Sequence, residues 1–597
     1  MTSRRTFLGQ LASLPILSHF SNCMQIFALQ GVAQRQIVID NYSDTWVATD
    51  ALGRKVEYHR EPRPDRIVAM FYFLWLGAQG GGPWDISRIL NIDPEAFRNG
   101  KNNLWGPPRA PHFWGEPLFG FYNSADPWVL RKHAEMLSDA GVDLIVFDTS
   151  NKVTYPNVYK ALMKAFEAER DAGNRTPQIA FLTPFWDPAA TVSKLWNDIY
   201  TRGLGKDLWF MMNGKPLILA DPEKVDPALR TVFTFRTPQA DYFKGPTEPN
   251  MWSWLEVAPQ HVFLNAEGGK EEMSVGVAQN AVHGKLNAMS NPRSLGRSYH
   301  AGKWESGTGA ELHGYNFSEQ WENVLKEDPE YVFVTGWNEW IAGRFDEFAG
   351  YKAPVVFVDE FDQEHSRDIE PMKGGHGDDY YYELVEYIRK YKGSRRPPKA
   401  GPEKTIDIAG SFDQWDDVTP EYRDERGDVF HRNYPAYSSS TRFIDDTGRN
   451  DLIVMKVARD KTTLYFYART AEKITPYSDP HWMTLFIDAD RNHDTGWEGY
   501  DYLINHSVRD DHTTVLERTA HGWNWEPVCV LKYRVQNNQI MIEVPRAALG
   551  LQREPLEFEF KWSDNWQQDN DIDEFTIHGD AAPPGRFNYL YTSLLHE

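Results

Sequence analysis

The sequence, 597 residues long, predicts an α/β chain in which a (β/α)8 TIM barrel precedes an all-β sandwich. Three observations carry that expectation. From Arg66 to Lys392, short apolar runs alternate with amphipathic helical patterns, the mark of repeated strand and helix units. Eight of these runs are strand-like, the number a closed parallel barrel needs. Past a Pro- and Gly-rich break from Gly393 to Pro402, strand patterns continue without clear helices between them.

Taken in order, the chain opens on Ser3-Arg4-Arg5-Thr6-Phe7-Leu8-Gly9, paired arginines ahead of a largely apolar stretch from Leu11 to Leu29. This resembles a twin-arginine export signal over residues 1–34 and sets a periplasmic or secreted location. Cleavage there leaves Cys529 as the single mature cysteine, which suits a protein folded before export. The barrel is expected over residues 35–392. Its strands are read at Ile67 to Phe73, Leu144 to Phe147, Ile179 to Thr183, Pro216 to Ala220, Val232 to Phe235, Trp252 to Leu255, Met273 to Ala278 and Tyr331 to Thr335. Asp126 can cap a helix whose first position is Pro127 and which closes at Gly141. Further helices are read at Asn316 to Glu327 and Asp378 to Tyr391. The insert from Gly77 to Tyr122 is far longer than an ordinary loop, and long loops inside compact domains are usually functional. A linker over 393–404 leads to a sandwich over 405–597, with strands at Leu452 to Val457, Thr463 to Ala468, Met483 to Ile487, Val528 to Val535, Ile540 to Val544 and Phe558 to Trp562.

Composition narrows the partners. With 63 basic against 85 acidic side chains the net charge is −22, which disfavours nucleic acid. No apolar run is long enough for a membrane span. The 22 Trp, 28 Tyr and 33 Phe often stand beside Asn, Asp, Gly and Pro, a distribution that suits surfaces for stacking sugar rings. A polysaccharide or oligosaccharide is therefore the expected substrate.

Catalytic groups of such barrels sit at the C-terminal ends of strands. Thr335-Gly336-Trp337-Asn338-Glu339-Trp340 follows the eighth strand, so Glu339 is the first candidate catalytic carboxylate. Asn338 is a candidate for a sugar hydroxyl, and Trp337 and Trp340 for stacking faces. Asp148 ends the second strand, where a carboxylate after buried residues is costly unless satisfied or used, and it is the second catalytic candidate. Asp187 and Glu256 fall on the same rim. His112, Trp114 and Glu116 in the long loop, with Gln279 and Asn280 after the seventh strand, are candidate substrate contacts. Glycoside hydrolysis needs one protonated and one ionised carboxyl group, and several rim acids among aromatics meet that need in kind. Phosphate loops, zinc helices and serine-nucleophile elbows are missing from the sequence, so no cofactor is expected for catalysis.

Asn338-Glu339-Trp340-x-x-Gly343, then Ile369-Glu370-Pro371 and a helix from Gly377 to Tyr387, resemble the end of the barrel in glycoside hydrolase family 99 and its WbsX-like relatives. That family is a (β/α)8 barrel of endo-acting α-mannosidases working through the substrate 2-hydroxyl, with Glu339 matching its base; for this chain the resemblance implies the barrel and a distant glycosidase, not mannosidase activity. Where the family's acid stands this sequence has Ala342, and about 25 residues separate Gly343 from Ile369. Asp346, Glu347 or Asp148 is left to supply the proton. The same departure motivates the rival expectation of a non-catalytic carbohydrate-binding protein.

In the C-terminal region, Asp488-x-Asp490-x-Asn492-x-Asp494-x-Gly496 sets alternate oxygen ligands before a glycine, a pattern suited to structural Ca2+. The stretch from Ile406-Asp407-Ile408-Ala409-Gly410 through Trp415 to Leu485-Phe486-Ile487-Asp488 resembles carbohydrate-binding module family 9. Trp482, Trp497, Tyr500, Trp523 and Trp525 are its candidate stacking residues. The expected function is an exported glycoside hydrolase acting on O-glycosidic bonds of a complex polysaccharide.

Overall fold

The computed structural model describes residues 38–77, 81–438 and 440–594. The expected export signal lies outside them. Among the described residues, eight strands run parallel in one sheet: β1 (Ile67–Tyr72), β2 (Leu144–Asp148), β3 (Gln178–Leu182), β4 (Lys215–Leu219), β5 (Thr234–Gln239), β6 (Met251–Ser253), β7 (Lys270–Gly276) and β8 (Tyr331–Thr335). Ladders join β1 through β6 in sequence order, and β7 to β8 and β8 back to β1. Between β6 and β7 a carboxylate replaces the ladder. Glu272 accepts the Ser253 backbone N–H at 2.9 Å and the Ser253 hydroxyl at 3.2 Å. Beside this seam a short antiparallel strand, Phe263–Leu264, pairs with β7, and its Leu264 carbonyl accepts Asn250 N–H at 2.9 Å. The result is a nearly closed barrel in a mixed α/β chain.

Period-two burial builds two apolar layers. Ala69, Phe71, Leu144, Val146, Ala180, Leu182, Leu217, Leu219 and Phe333 fill the barrel. The alternating residues, including Val68, Met70, Ile145, Phe147, Ile218 and Val332, join the core that the helices cover. The longer helices are α1 (Pro127–Asp139), α2 (Pro156–Ala172), α3 (Ala189–Asp198), α4 (Tyr315–Glu327) and α5 (Asp379–Lys392). Asp126 caps α1 by accepting Trp128 N–H at 3.1 Å, with Pro127 at the first helical position. Sequential strands β3 to β7 are not each separated by a long helix, so the outer layer is thinner than a regular (β/α)8 ring.

The long first loop and the insertion after β8 build a second, smaller sheet. Tyr351–Phe357 pairs with Ile341–Phe348, which pairs with Pro111–Phe113, and that in turn with Trp84–Asp85. Beyond residue 404 an antiparallel sheet folds on itself through the long strand Glu526–Gln536, which pairs with Thr513–Arg518 on one side and Gln539–Pro545 on the other. The hairpin Tyr502–Val508 and Thr513–Arg518 has no strong apolar alternation and is an addition to the strands expected there. No helix among the described residues is long and apolar enough to cross a membrane.

Candidate active site

Asp148 continues the inward-facing set Leu144 and Val146, so its carboxylate points into the mouth of the barrel. Ser150 N–H donates to it at 2.9 Å. Burial raises its pKa, and Asp359 nearby raises it further against the Ser150 hydrogen bonds. Glu339, in the turn after β8, is buried and accepts from Arg367 Nη2 at 2.7 Å and Nε at 3.1 Å, both at Oε2. Burial pushes Glu339 up; Arg367 opposes this, and Asp359 and Asp368 add to it. Arg367 is wholly buried, yet Glu339, Glu360 and Asp359 hold its guanidinium above the usual arginine range against desolvation.

One guanidinium thus faces three carboxyl groups, Glu339, Asp359 and Glu360, and Asp368 lies beside Glu339 and Glu360. Glu360 Oε2 accepts Arg367 N–H at 2.9 Å, and Asp359 Oδ1 lies 3.6 Å from Arg367 Nη2. Asp368 accepts Trp114 Nε1–H at 2.6 Å, and burial lifts its pKa to about 7. Glu360 and Asp368 are fully enclosed, whereas the Asp359 side chain is 34% exposed and opens toward solvent. The three acids on Arg367 outnumber its charge, and Asp368, partly offset by Arg297, adds to their repulsion, so the cluster favours a retained proton.

Aromatic rings surround this cluster. Trp254, after β6, lies over Arg367 at 6.0 Å and contacts Phe185 at 6.1 Å and Tyr242 at 5.6 Å. Phe73 stacks on Trp75 at 5.4 Å, and Trp186 beyond Phe185 is 76% exposed. Asn280 accepts from Tyr242 Oη at 3.0 Å and from Arg367 Nη1 at 3.4 Å, which ties it into the same cluster.

Several expected contacts lie elsewhere. Trp337 is 0% exposed, edge-on to His133 and Tyr381, and presents no face to a ligand. Trp340 is equally enclosed, stacked on the buried Trp114 at 5.2 Å, with its N–H on Glu370 at 2.5 Å. Glu370, a buried carboxyl group, gathers Trp340, Tyr122 and His133, and Trp337 packs edge-on against that His133. Asn338 bonds backbone groups of Phe73 and so locks the β8 turn onto β1. His112 is enclosed between the carbonyls of Ala110 and Trp105, and burial lowers its pKa to about 4. Gln279 is buried and donates to Asn316 Oδ1 at 3.0 Å. Asp187 forms an exposed ion pair with Lys152 at 2.7 Å, and Glu116 pairs with Arg88 and Lys373. Ala342 is buried opposite His112 in the small sheet, while Asp346 and Glu347 are exposed farther along that strand.

Sequence reading did not reach Asp359, Arg367 or Trp254. Trp254 directly follows the sixth strand, and Phe185-Trp186 precedes Asp187, so both carried a positional signal. Asp359 and Arg367 belong to the aperiodic insertion and carried none. In the C-terminal sheet, Asp488 and Asp490 come together with Asp501; Asn492 and Asp494 are exposed on the outer turn. Burial and the neighbouring Glu559 and Asp501 lift Asp488 to about 8. Trp482, Trp497 and Tyr500 are buried, and Trp523 and Trp525 pack partly buried against the apolar core. An open groove of about 1220 Å³ runs past Lys473, Tyr477, Asp511 and Arg534 on the same sheet.

No protein-family model matches the chain, and no curated protein matches it. Among solved structures, the GH99 endo-alpha-mannosidase from Bacteroides thetaiotaomicron is similar at 16% identity and a TM-score of 0.33, over 55% of this chain and 98% of that one. The complex of that bacterium's GH99 endo-alpha-mannosidase with bis-tris-propane is similar at 14% identity and a TM-score of 0.31, over 54% and 97%.

Proposed function

We propose that the chain is an exported glycoside hydrolase that cleaves O-glycosidic bonds in a complex polysaccharide by carboxylate acid/base catalysis. The observation that carries this reading is the cluster of Glu339, Asp359 and Glu360 on Arg367 in an aromatic-lined barrel mouth. Arg367 holds Glu339 through Oε2 and leaves Oε1 free of any hydrogen bond from a described residue, suited to act as base or nucleophile. Asp148 and Asp359, both shifted upward by burial, are the acids placed to protonate the leaving oxygen. Trp186, Phe185 and Trp254 offer the stacking faces. In the same reading the C-terminal sheet acts as a carbohydrate-binding-module-like support, with its open groove as glycan contact. Asp488, Asp490 and Asp501, an all-oxygen donor set, hold structural Ca2+. The protein works in the periplasm or outside the cell.

The test is release of reducing ends and oligosaccharides from a panel of mannans, fucans and other algal and plant glycans. Glu339→Gln is expected to lower the rate by about 10²–10⁴-fold with the circular dichroism spectrum unchanged. An unimpaired variant overturns the assignment. Ala342, buried where the resemblance places an acid, favours a second reading as a non-catalytic carbohydrate-binding protein. That reading predicts glycan binding with no release by the wild-type chain.

A further inference from the structure

Away from the barrel mouth, the segment that follows Tyr422–Arg423 runs along the outside of the barrel. Arg131 of α1 donates to Gly427 O at 3.2 Å, Asn174 donates to Arg426 O at 2.9 Å, and Arg432 pairs with the α1 cap Asp126 at 2.8 Å. Beneath this segment Asp424 and Asp428 meet Asp580, which opens the strand Asp580–Ala582. One carboxylate oxygen from each lies within 4.8 Å of the other two.

Asp424 and Asp580 are 4% and 3% exposed. Both oxygens of Asp424, and Oδ1 of Asp428 and of Asp580, are buried and accept no hydrogen bond from any described residue. A carboxylate stripped of water and given no donor is among the costliest groups a protein can enclose. The nearby ammonium groups act on the cluster only at a distance and give their hydrogen bonds to other acceptors: Lys132 pairs with Glu135 at 2.8 Å, and Lys561 donates to the carbonyls of Pro583 and Phe587. A cavity of about 10 Å³, enough for a single small ion or water, is bounded by Asp428, Asp580, Lys132 and Trp128.

We propose that Asp424, Asp428 and Asp580 bind one hard divalent cation, Ca2+, buried between the C-terminal sheet and helix α1 of the barrel. The donors are all oxygen, the set that selects such ions. Oxygens around a cation with bonds of about 2.3–2.6 Å lie no more than about 5 Å apart, so three oxygens all within 4.8 Å of one another can share one ion. The ion compensates the unpartnered oxygens and fastens the 424–432 segment against α1. This site is separate from Asp488, Asp490 and Asp501 and does not depend on the glycosidase reading.

The experiment uses the full chain, loaded with Ca2+, passed through gel filtration and assayed for metal by mass spectrometry. One tightly held Ca2+ is expected in Asp490→Asn, two in the wild type where the Asp488–Asp490–Asp501 site is also filled, and one fewer than the wild type in Asp424→Asn/Asp580→Asn. Ca2+ added to chelator-treated Asp490→Asn protein should raise Tm by about 2–4 °C. Equal retention of Ca2+ by wild type and the Asp424/Asp580 variant overturns the proposal, as does a wild type that neither retains Ca2+ nor gains stability from it. Because the double variant can fail to fold, Tb3+ is bound to Asp490→Asn protein and excited through tryptophan. Trp128 should sensitise a Tb3+ carrying about one or two waters. Absence of sensitised emission, or a nearly fully hydrated ion, overturns the proposal.

Discussion

Glu256 and Glu370 are both wholly buried carboxyl groups, and their surroundings set them on different courses. Glu256 is met by one residue, His261, through its backbone N–H at 2.7 Å and Nδ1 at 3.0 Å; burial outweighs both and lifts its pKa to about 7. The folded state therefore holds a proton that the unfolded chain, near 4.5, gives up. The stability this supplies is full below about pH 4.5 and is lost as pH rises through about 7. Between those limits Glu256 should cost the wild type on the order of 1 kcal/mol per pH unit, and Glu256→Gln should flatten that slope. Denaturant titrations across the window measure it; equal slopes in the two proteins refute it. Asp368, lifted to about 7 by burial beside Glu370, contributes to the same fall and persists in the variant.

At the scale of elements, Glu370 is a brace. It gathers Trp340 from the β8 turn, Tyr122 from the long first loop and His133 from α1, while His133 is in turn hydrogen-bonded to Tyr72 Oη of β1 at 2.7 Å. Glu370→Ala should therefore lower stability by about 3–5 kcal/mol, read as a shift in denaturant midpoint, because three or more buried polar partners lose their shared acceptor. A change under about 1 kcal/mol would show that these elements hold without it. The barrel strands were legible because each is a local run of β-branched and aromatic residues whose pattern needs no partner to be seen. β5 begins at Thr234, two residues after Val232, because a 3-10 turn, Pro227–Thr231, takes up the approach. The small sheet was not legible, since Pro111–Phe113 finds Ile341–Phe348 across more than two hundred residues of chain. Strand-end position likewise made Glu339 and Asp148 visible as mouth-facing acids. Whether a tryptophan beside them faces solvent or core is decided by Glu370 and Trp114, which local sequence does not show.

Over the whole molecule the apolar interior does not stop at the end of the barrel. Trp46, ahead of β1, and Tyr382 of α5 both pack on Phe587 from the C-terminal sheet, at 5.5 and 5.2 Å. Arg586 pairs with Asp378 at 2.8 Å beside them, and Val47 exchanges backbone hydrogen bonds with Asn588. With one core shared between the two sheets, calorimetry of the chain should give a single unfolding transition with matching calorimetric and van't Hoff enthalpies. Two resolved transitions would show that the halves unfold independently. The Glu272 seam sets one side of the barrel apart. Where other neighbouring staves are stitched by repeated backbone bonds, β6 meets β7 through a buried carboxyl side chain. The loop beyond β6 carries Trp254, whose carbonyl accepts the Thr335 hydroxyl, so β8 supplies the anchor that the missing ladder does not, and the aromatic wall stays in register with Glu339.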